Sequence, residues 1–283
     1  MKPNVELGIN REFGDIISDS FVILKQNFQP LLKAYLVICG PFLVTGILVT
    51  IMFNSQNSYA GSSTSLFSFW GLLSFVFNIL DYTALILTTL SYLVFYKEKG
   101  NQAPTIMEVW GYFRYYFFRV VGTQFLLTFG LIMGIIMCFI PGIYLLPILG
   151  LVIPVMVVEN ANAEYSIKRA FKIIKGNWWM VFGVILLLSI IVSTIFIVII
   201  VIPAVIFYGG TEWLTGKSMS TPLNIAEAII IHISQILWML PIIGLTLVYY
   251  TLTEQKESNS LINRIKMFGQ SGSGTDQIQS EQY

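Results

Sequence analysis

The chain has 283 residues, 55% of them hydrophobic and only 11% charged, with a formal net charge of +1 and a mean hydropathy of +0.75. A soluble domain of this size carries about 25% charge, so a soluble enzyme or binding module is excluded, and the near-neutral balance gives no electrostatic case for a nucleic-acid partner. Apolar runs long enough to cross a hydrocarbon core of about 30 Å recur, and the alternating pattern of a membrane barrel is absent, so the predicted class is an all-α polytopic membrane bundle.

Residues 1–30 come first. Met1 to Gln29 is polar with no early apolar core, which predicts no cleavable signal. Within it Phe13, Ile16, Ile17, Phe21, Leu24 and Phe28 recur at helical spacing, which predicts an amphipathic surface helix over 12–28. A six-span domain is expected over 31–252. Its first span runs from Leu31 to Phe53, with a kink expected at Gly40-Pro41, and an uncharged polar loop follows from Asn54 to Ser65. The second span lies within 66–96. A second surface segment, 104–118, is opened by Pro104, and the third span covers 119–140. Pro141-Gly142 predicts a tight reversal. The fourth span, 143–158, is short and carries Pro147 and Pro154, which predicts a helix that is broken or does not fully span. A third surface segment, 163–177, leads into a fifth span at 178–208. A loop at Gly209–Thr221 precedes the sixth span, 223–252, and the Gln/Ser/Gly-rich tail 253–283 reads as disordered.

Three stretches share one plan. Phe21, Ile23, Lys25, Asn27 and Phe28 align with Phe171, Ile173, Lys175, Asn177 and Trp178, and Trp110, Arg114 and Phe117 fit more loosely. Tyr92 to Lys99 likewise resembles Tyr249 to Lys256. The expected architecture is therefore six transmembrane helices arranged as three parallel repeats, each a surface helix followed by a hairpin of spans. Every basic residue except Lys217 falls on one side of that map. By the positive-inside rule this predicts cytoplasmic termini. Lys25, Arg114, Lys168, Arg169, Lys172 and Lys175 then become candidate contacts with anionic lipid or a partner at the cytoplasmic face, each contributing about 1 kcal/mol of attraction to lipid.

One intramembrane seam carries the remaining chemistry. Asp81 lies mid-span, where a carboxylate costs about 2.5–3.5 kcal/mol on insertion scales. Asn78, Asp81 and Tyr82 share a face of span two, and Glu227, His232 and Gln235 lie on span six. Two readings stay open: a proton or substrate path with Asp81 and His232 as titrating groups, or interhelical hydrogen bonding that fixes the bundle. Cys39 and Cys138 sit in apolar spans as small hydrophobes. No Walker loop, HExxH, GxSxG or Cys/His cluster occurs, so no enzyme activity, cofactor or metal site is expected.

The strings PGIYLLPILGLVIPVMVVEN, SIKRAFKIIKGNWWMVFG and LTLVYYTLTEQKE resemble the six-span membrane domain attached to some bacterial glycerophosphodiester phosphodiesterases, and related bacterial membrane families. The resemblance implies a bacterial inner (cytoplasmic) membrane and an accessory role. It transfers no catalysis, because the catalytic barrel of the fused enzymes has no counterpart here. The expected function is a structural or scaffolding subunit of a larger membrane assembly, with other membrane-protein subunits as partners. The alternative is a transporter or lipid-handling protein using the seam between spans two and six.

Overall fold

The computed structural model describes residues 5–60, 68–137, 139–206 and 220–257, and among them helix is the only regular structure. The tail beyond 257, the loop 207–219 with Lys217, and Cys138 lie outside the described residues. In chain order the helices are α1 (Phe13–Ala60), α2 (Phe69–Glu98), α3 (Ile106–Met137), α4 (Phe139–Val158), α5 (Ala163–Ile174), α6 (Trp178–Phe196), α7 (Ser220–Ser234) and α8 (Met239–Glu257). A π-helical turn, Ile197–Val201, extends α6, and a 3-10 turn, Gln235–Trp238, joins α7 to α8. Six segments are long and apolar enough to cross a membrane, so the protein is a polytopic all-α bundle.

Several boundaries differ from the sequence reading. The first amphipathic segment and the first span form one unbroken helix, which passes through Pro30 and Pro41 and continues past Asn54 to Ala60. The second surface segment is likewise the opening of α3. It starts one residue past Thr105, whose backbone N–H donates to Glu108 Oε2 at 2.8 Å. That is half of a capping box, and Lys99 Nζ, 2.7 Å from the same oxygen, ties it to the end of α2. The reversal between spans three and four falls before Phe139, and Pro141-Gly142 belongs to the first turns of α4. Helix α4 also stays continuous through Pro147 and Pro154. Hydrocarbon offers its backbone groups no other partner, so breaking the helix costs more there than in water.

Only α5 is a separate surface helix. The Asn162 side chain caps its start by accepting from the Tyr165 N–H at 2.9 Å, and Gly176, at φ +92°, turns the chain out of it. Ile173, Ile174 and Ala170 bury its apolar face while Lys168 and Lys172 stay exposed.

Packing centres on α8, which touches α1, α2, α4, α5 and α6. Its residues from Met239 to Leu252 are nearly all buried, as is α2 from Thr83 to Val94. Gly244 has no side chain to separate α8 from α6, so Leu188 and Val184 close directly over it. The opposite end of the bundle is looser. Ile197, Val198, Ile199, Val205 and Ile206 beyond α6, and Phe69, Leu72 and Phe75 at the start of α2, are all exposed. In a bilayer these faces meet lipid chains as apolar as themselves, so their exposure costs nothing.

The tight end carries the basic residues. Asn10, Lys97, Glu159, Arg169, Asn177 and Gln255 converge there. Gln255 donates to Asn10, Lys97 Nζ sits 4.0 Å from the Tyr250 ring centroid, and Asn177 reaches Gln255.

Candidate functional site

Two polar junctions bring charged or titratable side chains from distant parts of the chain together. The first is at the cationic end. Arg169 Nε lies 3.0 Å from Glu159 Oε1, and its Nη2 pairs with Glu257 at the end of α8. Tyr249 O–H donates to the same Glu159 oxygen at 3.0 Å. Lys256 Nζ donates to the carbonyls of Lys172 and Lys175, at 2.7 and 2.8 Å, where α5 ends and its own carbonyls lack helical partners. Burial alone would pull the Arg169 pKa down. The two carboxylates outweigh it and raise it above the ordinary arginine value, so this side chain is always charged. Glu164, by contrast, is fully exposed, and its hydrogen bond to Lys168 holds its carboxyl below the usual range.

The second junction lies within the bundle. His232 Nδ1, on α7, is 2.8 Å from Asp81 Oδ2, on α2, and both side chains are at most 1% exposed. From the Lys97 end of α2, Asp81 lies about 24 Å along the helix at 1.5 Å per residue, within the apolar span Phe69–Glu98. The other ring nitrogen, Nε2, is 3.0 Å from Thr50 Oγ1 on α1. A neutral imidazole accepts the threonine proton at Nε2 and keeps its own proton on Nδ1, beside the carboxylate. Gln235 Nε2 lies 3.5 Å from Nδ1. Gly46 on α1 makes the arrangement possible: a Cβ there would run into Asp81 Oδ2 and lie 2.6 Å from His232 Cε1. The pair occupies the space that any other residue at 46 would fill.

The junction is not fully satisfied. Asp81 Oδ1, Asp81 Oδ2 and Gln235 Oε1 are buried with no hydrogen-bond partner, the approach of His232 to Oδ2 being close but not aligned as a hydrogen bond. In water-free surroundings such orphan oxygens are rare and call for a bound proton, water or ligand. Gln235 opens the 3-10 turn, and Pro241 follows it. Proline lacks the N–H that would bond the Leu237 carbonyl and its ring crowds that carbonyl, so the preceding turn tightens. Span six therefore stays helical but narrows to a 3-10 turn within one turn of His232.

The predicted residues divide. Asp81, His232 and Gln235 come together as the seam required. Asn78 does not join them: it is exposed and donates to the Ser74 carbonyl of its own helix. Glu227 is exposed on α7. Tyr82 turns away from the pair and meets Trp238 edge-on, with ring centroids 6.5 Å apart. Among the basic residues, Lys25, Arg114, Lys168, Lys172 and Lys175 are exposed, as a surface role requires. Arg169 corrects the expectation of a lipid or partner contact, because its guanidinium is spent on Glu159 and Glu257. Sequence reasoning missed Gly46 and Thr50, and with them the part span one plays. Their signal is thin: a glycine and a threonine four residues apart in an apolar run. No group of three or more His, Cys, Asp or Glu side chains able to hold a metal ion occurs among the described residues.

Compared with known proteins, the chain matches no family model, no curated protein and no solved structure.

Proposed function

We propose that this chain is a non-catalytic, multi-pass protein of the bacterial cytoplasmic membrane, and that it acts in membrane transport or lipid handling through proton binding at the Asp81–His232 pair. The observation that carries the reading is the buried pair with its orphan oxygens. A carboxylate with a neutral imidazole holds one net negative charge. One added proton, on either group, makes the pair neutral, and a low-dielectric interior favours the neutral state. Among the described residues, Tyr35 and Cys39 of α1 also lie within electrostatic reach of Asp81. Interhelical bonding for stability alone needs no charge, and neutral partners such as Asn27 and Tyr92 serve it elsewhere, at 2.9 Å. The scaffolding reading has no comparable contact in its favour.

The same proposal places the cation-bearing end in the cytoplasm, by the positive-inside rule. It also treats the chain as an internal repeat related to the membrane domain of glycerophosphodiester phosphodiesterases. The aligned Asn27 and Asn177 support the repeat, since each reaches the end of the second span of its own hairpin, at Tyr92 and Gln255 respectively.

The test is proton flux into reconstituted vesicles under a potassium-diffusion potential, read with an internal pH dye. Asp81→Asn and His232→Gln should each lower it at least tenfold. Flux that is the same in both variants as in the parent chain would defeat the reading.

A further inference from the structure

A cavity of about 300 Å3 lies on the far side of Tyr82 and Trp238 from the Asp81–His232 pair, among α2, α3, α4, α6 and the start of α8. Its volume is at the lower end of the range for small-molecule sites. It sits deep in the spans: Ser189 is about 16 Å along α6 from Trp178 at 1.5 Å per residue. Leu146, one of its walls, is 39% exposed, and nearby Tyr144 stacks on Trp178 at the start of α6.

The lining is apolar except for five uncharged polar side chains. Gln124 and Thr128, one turn apart on α3, share a face; Ser189 joins them from α6; Tyr82 and Trp238 close the inner wall. None of the five makes a hydrogen bond to the protein among the described residues. Elsewhere in the spans, threonine and serine hydroxyls such as Thr83, Thr89 and Thr246 fold back onto the carbonyl four residues earlier. Thr128 and Ser189 do not. Five hydrogen-bonding groups left unpaired around one cavity, with no charge among them, describe a site for a neutral guest that brings its own polar atom.

We propose that this cavity binds a neutral, single-chain lipophile carrying a hydroxyl or carbonyl group. The inference rests on the lipid-handling side of the function proposed above and names the class of ligand. The uncharged lining offers nothing to hold a charged headgroup. The contact of Tyr82 with Trp238 puts the guest one side chain away from the 3-10 turn in span six.

The experiment uses the full chain in vesicles with three photoreactive, clickable probes of one chain length: a hexadecanol, a hexadecanoate and a phosphatidylglycerol. The alcohol should label peptides containing Gln124, Thr128 or Ser189, at least tenfold above the other two probes. Ser189→Leu, which fills the cavity with an apolar side chain, should abolish that labelling. Thr128→Val, which keeps the shape and removes the hydroxyl, should lower it about threefold. Equal labelling by the phosphatidylglycerol probe, unchanged by Thr128→Val, means an ordinary acyl chain fills the space and overturns the proposal. Labelling that Ser189→Leu leaves intact overturns it too. The two readings fail separately: proton flux indifferent to Asp81→Asn condemns the pair whatever labels the cavity, and labelling indifferent to Ser189→Leu condemns the cavity whatever the flux.

Discussion

At the cationic end Arg169 stands between two carboxylates, and a tyrosine hydroxyl completes the set. In the middle of the bundle His232 faces one carboxylate, and both oxygens of Asp81 and one of Gln235 lack a hydrogen-bond partner. The first junction is partly exposed, permanently charged and closed. The second is buried, titratable and incomplete. It also sits where the packing thins toward the looser end, beside a 3-10 turn and a cavity. A junction that only braces the fold is expected to satisfy its members. The contrast separates a structural clamp from a working site, though both are acid–base contacts between distant parts of the chain.

Removing the clamp has the largest expected effect on stability. Arg169→Ala leaves Glu159 and Glu257 facing one another without their cation. Breaking a buried pair costs about 3–5 kcal/mol, and with these side chains 13–38% exposed the figure falls to about 2 kcal/mol. It should appear as a lower thermal midpoint in detergent and as new proteolysis near Gly176, while proton flux per folded molecule is unchanged. A loss of flux in the folded fraction would erase the distinction between the junctions.

The next effect is at Gly46. A methyl group there meets Asp81 and His232 at once, and overpacking of this kind costs about 1–3 kcal/mol. Gly46→Ala should therefore lower the midpoint and also abolish flux. Because the strain is against the pair, Gly46→Ala combined with Asp81→Ala should be less destabilised than the sum of the two single changes, a non-additivity that a double-mutant cycle reads directly. Strict additivity would mean that Gly46 does not make room for the pair.

Thr50→Val sharpens the comparison from the other direction. It keeps the shape and removes one hydrogen bond to His232 Nε2, at an expected cost of about 1 kcal/mol. Flux should nonetheless change several-fold, because the hydroxyl helps to fix which ring nitrogen carries the proton. Tyr249→Phe costs a similar amount at the clamp and should leave flux alone.

What could be read from the sequence follows the same division. Hydropathy locates six spans, because each is a long continuous signal. Asp81 and His232 stand out because titratable residues in apolar runs are expensive and so conspicuous. The partners that make the pair possible do not stand out. Gly46 contributes an absence, and Thr50, Gln124, Thr128 and Ser189 are mild enough to pass as ordinary residues of a span. Arg169 misleads for a different reason. In sequence it is one of a basic cluster with Lys168, Lys172 and Lys175, and only the fold brings Glu257, 88 residues away, to it. Pro147 and Pro154, singled out as breakers, sit in a helix that stays continuous, while the 3-10 turn ahead of Pro241 was not anticipated.

The smallest expected effect lies on the outer face of α5, where Glu164 and Lys168 pair at 2.6 Å with both side chains 75% exposed. The pair holds the Glu164 carboxyl below its ordinary value of 4.5. A depressed folded-state value means that any stabilisation is complete above pH 4.5 and fades as the pH falls toward and through the lower folded value, so acid can only remove it. Water screens the pair on every side, so Glu164→Gln should leave the thermal midpoint and the rate of proteolysis at Gly176 unchanged from pH 7 down through that window. The comparison of interest is with Arg169→Ala over the same range. If Glu164→Gln freed α5 as readily as Arg169→Ala, attachment of the surface helix would depend on its exposed charges, and the clamp beneath it would lose its assigned part.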